Sequence, residues 1–157
     1  MLAPGIDTDL QDMHQEPPFA DGDCFKWFEG LGQVYAVTRD PKLDDLIDRI
    51  VTVVAKVQRG DGYFHTATVI SERRRDRNVV EFEDREHFEA YNIEHLMTAA
   101  CGHYRATGKT TMLAVARKAA NYLSELCRET PFELARNAVC PSHYMGVMEL
   151  YRTTRDL

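Results

Sequence analysis

The chain has 157 residues, 44% hydrophobic and 28% charged, which is enough for one domain around a single buried core. A formal net charge of −6 excludes the net basic surface that a nucleic-acid backbone requires. The longest uncharged apolar run, Ile50 to Ala55, falls far short of the roughly 20 residues of a membrane span, and Met1 to Gln15, with Asp7, Asp9 and Asp12, has neither the basic start nor the apolar centre of a signal peptide.

As written, the chain is expected to be cytoplasmic, with no nucleic-acid or membrane partner. Residues 1–20 read as an irregular N-terminal segment and residues 21–157 as one helical domain. Phe25, Phe28, Leu31, Val34 and Tyr35 recur every three or four positions, which predicts a first helix. Pro41 suits the first position of a second, where its missing N–H costs nothing; Leu43, Leu46, Ile47, Ile50, Val54 and Val57 form its stripe. The join from Arg59 to Arg85 reads as a long loop with a short β-excursion over Tyr63 to Ile70. Its basic run, Arg73-Arg74-Arg75-Asp76-Arg77, is followed by Glu81, Glu83, Asp84 and Glu86, a solvated segment that pairs with itself.

Phe88, Tyr91, His95, Leu96, Ala99 and His103 line the next predicted helix, with Gly108 as its C-cap. Met112, Val115, Ala116, Ala119, Tyr122, Leu123 and Leu126 line its partner. A fifth helix is expected from about Ser142 to Thr153, with Met145, Met148 and Tyr151 as its apolar ridge. Cys101 and Cys127 fall within helical patterns and read as small core residues; with no C-x-x-C pair among Cys24, Cys101, Cys127 and Cys140, free buried thiols are the expectation.

An internal repeat organises these elements. Tyr-x-x-Thr followed by a turn occurs at Tyr35 to Asp40, Tyr104 to Lys109 and Tyr151 to Asp156, each time closing an apolar-periodic segment. Short turns force antiparallel hairpins, and alternating short and long joins predict an all-α toroid or solenoid of stacked helical hairpins. The third hairpin reaches its turn just before Leu157, so the sequence is expected to represent a truncated array. An exposed apolar seam follows, and with it a homo-oligomer or cover by another chain.

Three constellations could carry chemistry. Gly60-Asp61-Gly62-Tyr63-Phe64-His65 is a turn in which glycine permits positive φ, Asp61 can bond backbone amides, and Tyr63 could project as an aromatic platform for a sugar or lie buried. Glu89-Ala90-Tyr91-Asn92-Ile93-Glu94-His95 places Tyr91, Asn92 and His95 on one helical face; buried polar groups there need partners, either within the fold or from a polar ligand. Cys140-Pro141-Ser142-His143-Tyr144 opens the fifth helix with Ser142 as a possible N-cap. Cys140 and His143 could form a thiol pair or metal site only with further partners.

Five strings stand together in order. They are Asp23-Cys24-Phe25-Lys26-Trp27-Phe28-Glu29, Asp61-Gly62-Tyr63, Glu89 to His95, His103-Tyr104-Arg105-Ala106-Thr107-Gly108-Lys109, and Cys140 to Gly146 before Glu149-Leu150-Tyr151-Arg152. In this the chain resembles the family-127 glycoside hydrolases, typified by β-L-arabinofuranosidase. The resemblance implies an (α/α)6 barrel and a carbohydrate ligand. It further implies retaining hydrolysis in which a zinc-bound cysteine thiolate attacks and a glutamate serves as acid/base. It makes Glu89, Tyr91, Asn92 and His95, the turn Asp61, Gly62 and Tyr63, and His143 the substrate-binding candidates. Cys140 to Tyr144 stands where many relatives carry a His-Gln-Glu-type string, with His143 one turn along as the substitute for its histidine. No catalytic residue, zinc ligand or other cofactor is expected within this chain, because the family's catalytic centre lies beyond Leu157. The alternative is a non-catalytic helical-hairpin module that binds a protein or glycan.

Overall fold

The computed structural model describes residues 17–75, 80–130 and 142–155, with only the backbone of Ser142 and His143. Its helices are α1 (Ala20–Thr38), α2 (Pro41–Val57), α3 (Thr66–Arg73), α4 (Glu89–Thr107), α5 (Thr111–Glu129) and α6 (Ser142–Thr154), with a 3₁₀ turn at Arg85–His87. No strand occurs among the described residues.

The helices form two rows. In the inner row α4 packs between α1 and α6; in the outer row α2 and α5 pack on each other and on the backs of α1 and α4. Inner helices run the same way. Gly22 meets Asn92 and Gly102 meets Glu29, while Gly146 meets Glu94 and Arg105 meets Thr153, so paired positions advance together. This is the layering of part of an (α/α)6 barrel, as the family resemblance implies.

The Tyr-x-x-Thr repeat is the C-terminal signature of this inner row. Thr38, Thr107 and Thr154 hydroxyls donate to the carbonyls four residues back at 3.0, 2.8 and 2.9 Å. The next amides, of Arg39, Gly108 and Arg155, return to the tyrosine carbonyls at 2.9, 2.7 and 2.7 Å, with left-handed φ of 53°, 75° and 59°. Three copies therefore close α1, α4 and α6 at one rim and leave their N-termini at the other. At the start of α2, Asp40 caps Lys42 N at 2.9 Å ahead of Pro41.

The outer helices bury one stripe each: Ile47, Val51 and Val54 on α2, and Met112 through Leu123 on α5. α4 differs, being buried nearly all round, with Ile93, Leu96, Met97, Ala99, Ala100 and Cys101 sealed from solvent. Small residues let its neighbours come close. A methyl on Gly146 would meet the Glu94 carbonyl oxygen at 2.9 Å and the Glu94 Cα at 3.0 Å.

Four expectations are corrected. Tyr63 to Ile70 is not a β-excursion: Tyr63, Phe64 and His65 are buried consecutively, and His65 then caps α3 by accepting from Thr68 N at 3.4 Å. Glu81 does not neutralise the basic run; it pairs with Arg59, while the described arginines Arg73 to Arg75 stay exposed. Met145, Met148 and Tyr151 are exposed, because α6 seats Gly146 and Leu150 on α4 instead. With Tyr144 they form an exposed apolar stripe along α6. Cys24 and Cys127 are exposed where buried thiols were expected, since Cys127 lies past the covered stripe in the last turn of α5.

Close approach at α6 predicts opposite signs for two glycine substitutions. Gly146→Ala is expected to destabilise by about 1–3 kcal/mol, since backbone must move. Gly30→Ala in α1, where nothing lies within 4 Å of the added methyl, should gain about 0.5–1 kcal/mol from helix propensity. Equal effects in urea unfolding would contradict the packing.

Candidate functional site

At the N-terminal rim, the segment from Gln58 to His65 is locked by its own polar groups. Gln58 Nε2 donates to the carbonyls of Gly62 and Val115, both at 2.9 Å. Gly62 has φ of 104° and stands so close to Lys118 that a Cβ would lie 2.2 Å from its carbonyl oxygen; only glycine fits. Asp61 accepts from Tyr63 N at 3.1 Å, as the turn chemistry predicts, and takes a fork of hydrogen bonds from Arg59. Arg59 holds the Asp61 carboxyl below its ordinary range. The same guanidinium reaches Glu72 at 2.8 Å and lies 4.5 Å over the Tyr63 ring.

Tyr63 is therefore no projecting platform. It is 0% exposed, and its hydroxyl donates to Glu89 Oε1. Glu89 Oε2 accepts from Phe82 N at 2.7 Å. Burial pushes the Glu89 carboxyl up to about 7 despite these two bonds. The Asp61–Tyr63 turn and the start of α4 do meet, but in a sealed contact.

Asn92 is likewise consumed by the fold. Its Oδ1 accepts from Gly22 N at 2.8 Å and its Nδ2 donates to the Pro18 carbonyl at 2.7 Å, pinning the entry of α1 to α4. Asp21 adds to this clasp by accepting from Thr66 N at 2.6 Å.

Tyr91, Glu94 and His95 stand apart from that clasp. The Lys26 ammonium donates to the Tyr91 hydroxyl and to Asp23 at 3.2 Å; the tyrosine bond is the main reason its pKa rises. The His95 ring meets Tyr91 edge-on at 4.5 Å, and its Nδ1 lies 3.2 Å from Glu94 Oε2. The His95 side chain keeps 18% exposure, against 4% for Glu94. Burial, then the Lys26 charge, lowers the His95 pKa, so the imidazole is neutral near pH 7. Burial, reinforced by the Glu29 charge, raises Glu94 to about 7. An ammonium, a phenol, a neutral imidazole and a titrating carboxyl offer the mixed donors and acceptors that polyhydroxylic ligands engage.

Of the candidates from sequence, Tyr91 and His95 thus share this half-open wall, whereas Glu89, Asn92, Asp61, Gly62 and Tyr63 are spent within the fold. The side chain of His143, and Cys140 with it, lies outside the described residues. Lys26 and Glu94 escaped the sequence reading as site residues. Both sit inside strings that carry the resemblance, but the Lys26–Tyr91 contact spans 65 positions and has no local signal. Among the described residues no three His, Cys, Asp or Glu side chains converge to hold a metal ion. No described helix is long and apolar enough to cross a membrane.

A family model described as the β-L-arabinofuranosidase GH127 catalytic domain matches residues 4–157. The non-reducing end β-L-arabinofuranosidase of Bifidobacterium longum subsp. longum is 34% identical over 116 residues, covering 73% of this chain and 18% of that protein. A GH127 β-L-arabinofuranosidase from Geobacillus stearothermophilus T6 superposes with a TM-score of 0.74 at 27% identity, over 89% of this chain and 21% of that one. A solved glycoside hydrolase is 48% identical with a TM-score of 0.69, over 86% of this chain and 20% of the other. The chain spans about a fifth of the length of these relatives.

The Tyr63–Glu89 contact can be tested apart from any ligand. The Glu89 carboxyl titrates near 4.5 when unfolded and about 7 when folded, so its contribution is full below pH 4.5 and lost as pH rises through 7. Tyr63→Phe removes a bond that favours the charged form. It should cost about 1–3 kcal/mol, and more at pH 8 than at pH 5. A loss independent of pH would break the assignment.

Proposed function

The chain belongs to the GH127 β-L-arabinofuranosidase catalytic-domain family, and we propose from that premise that it forms part of the carbohydrate pocket of a glycoside hydrolase. The observation that carries this reading is the Lys26–Tyr91–His95–Glu94 cluster. With Lys26 contributed by α1, it is the polar group at the start of α4 left after Glu89 and Asn92 are satisfied internally, and His95 is partly exposed within it. His95 would bind a sugar hydroxyl through Nε2, with Lys26 and Tyr91 orienting the ring beside it. Asp61, Gly62, Tyr63, Glu89 and Asn92 serve the same site as its scaffold.

In this reading the nucleophile, the acid/base and the zinc ligands come from residues other than the described ones. Support comes from the span of the match, about a fifth of each relative. The 157-residue chain, supplied with zinc, is then expected to bind methyl β-L-arabinofuranoside weakly, at about millimolar affinity, and not to cleave it. Amide shifts on titration should cluster at Lys26, Tyr91 and His95 and vanish in His95→Ala. Robust cleavage, or shifts elsewhere only, would overturn the proposal.

The apolar seam supports self-association. Tyr144, Met145 and Met148 are exposed along α6, and Trp27 and Val34 along α1. A second copy covering the α6 stripe would bury it. Light scattering should then show a concentration-dependent dimer or larger species that Met145→Asp with Met148→Asp dissolves. A monomer at every concentration would refute this.

A further inference from the structure

We propose that two copies of this chain close into one barrel about a common twofold axis, with Trp27 of each copy seated in the apolar groove on α6 of the other. The inference rests on the self-association proposed above and goes further, naming both edges, how they pair and where assembly stops.

Among the described residues there are three inner helices, α1, α4 and α6, running the same way with α4 in the middle. An (α/α)6 barrel has six, so this row spans half a turn and each of its ends is an edge. Both edges are apolar on the flank turned away from α4. On α1, Gly22 faces α4. Trp27 and Val34 lie about 140° and about 120° round the helix from it, and Trp27 is 57% exposed. On α6, Gly146 and Leu150 seat on α4, and Met148 lies about 160° round the helix from each. Beside it a groove of about 340 Å³ opens between Tyr144, Met145, Met148, Glu149 and Arg152.

Height along the row decides whether the two edges match. Gly22 lies across from Asn92 and Gly146 from Glu94, so Gly22 stands level with position 144 of α6 and Trp27 with position 149. Half a turn about the barrel axis changes no heights. The indole of one copy therefore arrives at the middle of the other's groove, beside the Arg152 guanidinium, which favours an aromatic face.

Area favours this pairing over α6 against α6. Trp27, Val34, Tyr144, Met145 and Met148 are all more than half exposed, at roughly 100 Å² each, about half of what a large side chain can bury. Closing both edges covers five from each copy, about 1,000 Å², the size a specific interface needs. Pairing α6 with itself covers three from each, about 600 Å², and leaves both Trp27 side chains in water. The closed pair is reciprocal, as a twofold requires, and leaves no inner edge to recruit a third copy.

Trp27 is the single tryptophan of the chain, so its fluorescence reads the contact directly. In a dilution series of the 157-residue chain, the mass from light scattering should double once, and the emission should move to shorter wavelength over the same concentrations. Met148→Asp should hold the chain at monomer mass, with its helical circular dichroism unchanged, and abolish the emission shift from the other helix. A dimer whose emission does not move would overturn the Trp27 contact while leaving self-association standing. Growth past the dimer would overturn the closure, and a monomer at every concentration would overturn both readings. Sugar binding at His95 is read separately and bears on neither.

Discussion

α4 has almost no free face, and the rest of the molecule is arranged around that constraint. A helix enclosed by α1, α5 and α6 buries most of its polar side chains, and a buried polar group without a partner costs about 1–3 kcal/mol. Glu89 finds Tyr63 and the Phe82 amide; Asn92 finds Gly22 and Pro18. These partners come from three separate stretches of chain, so satisfying one helix also fastens the 58–65 turn, the 80–88 loop and the entry of α1. Gly146 lets the α6 backbone approach that of α4, and Gly22 leaves room for the Tyr91 and Asn92 side chains.

Helix periodicity, caps and the Tyr-x-x-Thr repeat were readable because each is written within a few residues of itself. Pro41 at a helix start, Gly108 in the left-handed cap and the stripe of α5 depend on neighbours at most four positions away. The α3 helix was not readable, since Tyr63, Phe64 and His65 are buried one after another by contacts from other parts of the chain, which imitates a strand. The same limit governs the candidate site. That Tyr91 and His95 share a face follows from helical spacing. That Asn92 faces inward follows from a hydrogen bond across 70 positions, for which the sequence has no local mark.

The misjudged ridge of α6 has a related cause. Periodicity identifies an apolar stripe but not which neighbour it meets. Gly146 and Leu150 turn out to seat on α4, because the closest approach of two helices favours the smallest residue, while the larger Met145, Met148 and Tyr151 face away. Hydrophobicity ranks those side chains above glycine; packing geometry reverses the order.

Parallel inner helices also sort charge by rim. Their N-termini gather carboxylates, with Asp21 and Asp23 in the first turn of α1 and Glu89 in that of α4, where the helix dipole favours negative charge. Their C-termini gather Arg39, Arg105 and Arg152, and Arg105 ties α4 to α6 through Glu149. Within α1 itself, Lys26 departs from this pattern, and it does so beside Tyr91 and His95. The Lys26 ammonium is held by Asp23 and by the Tyr91 hydroxyl, and its charge adds to burial in lowering the His95 pKa. The packing that encloses α4 and the Lys26 charge beside it thereby act in the same direction on the one histidine left accessible on that helix.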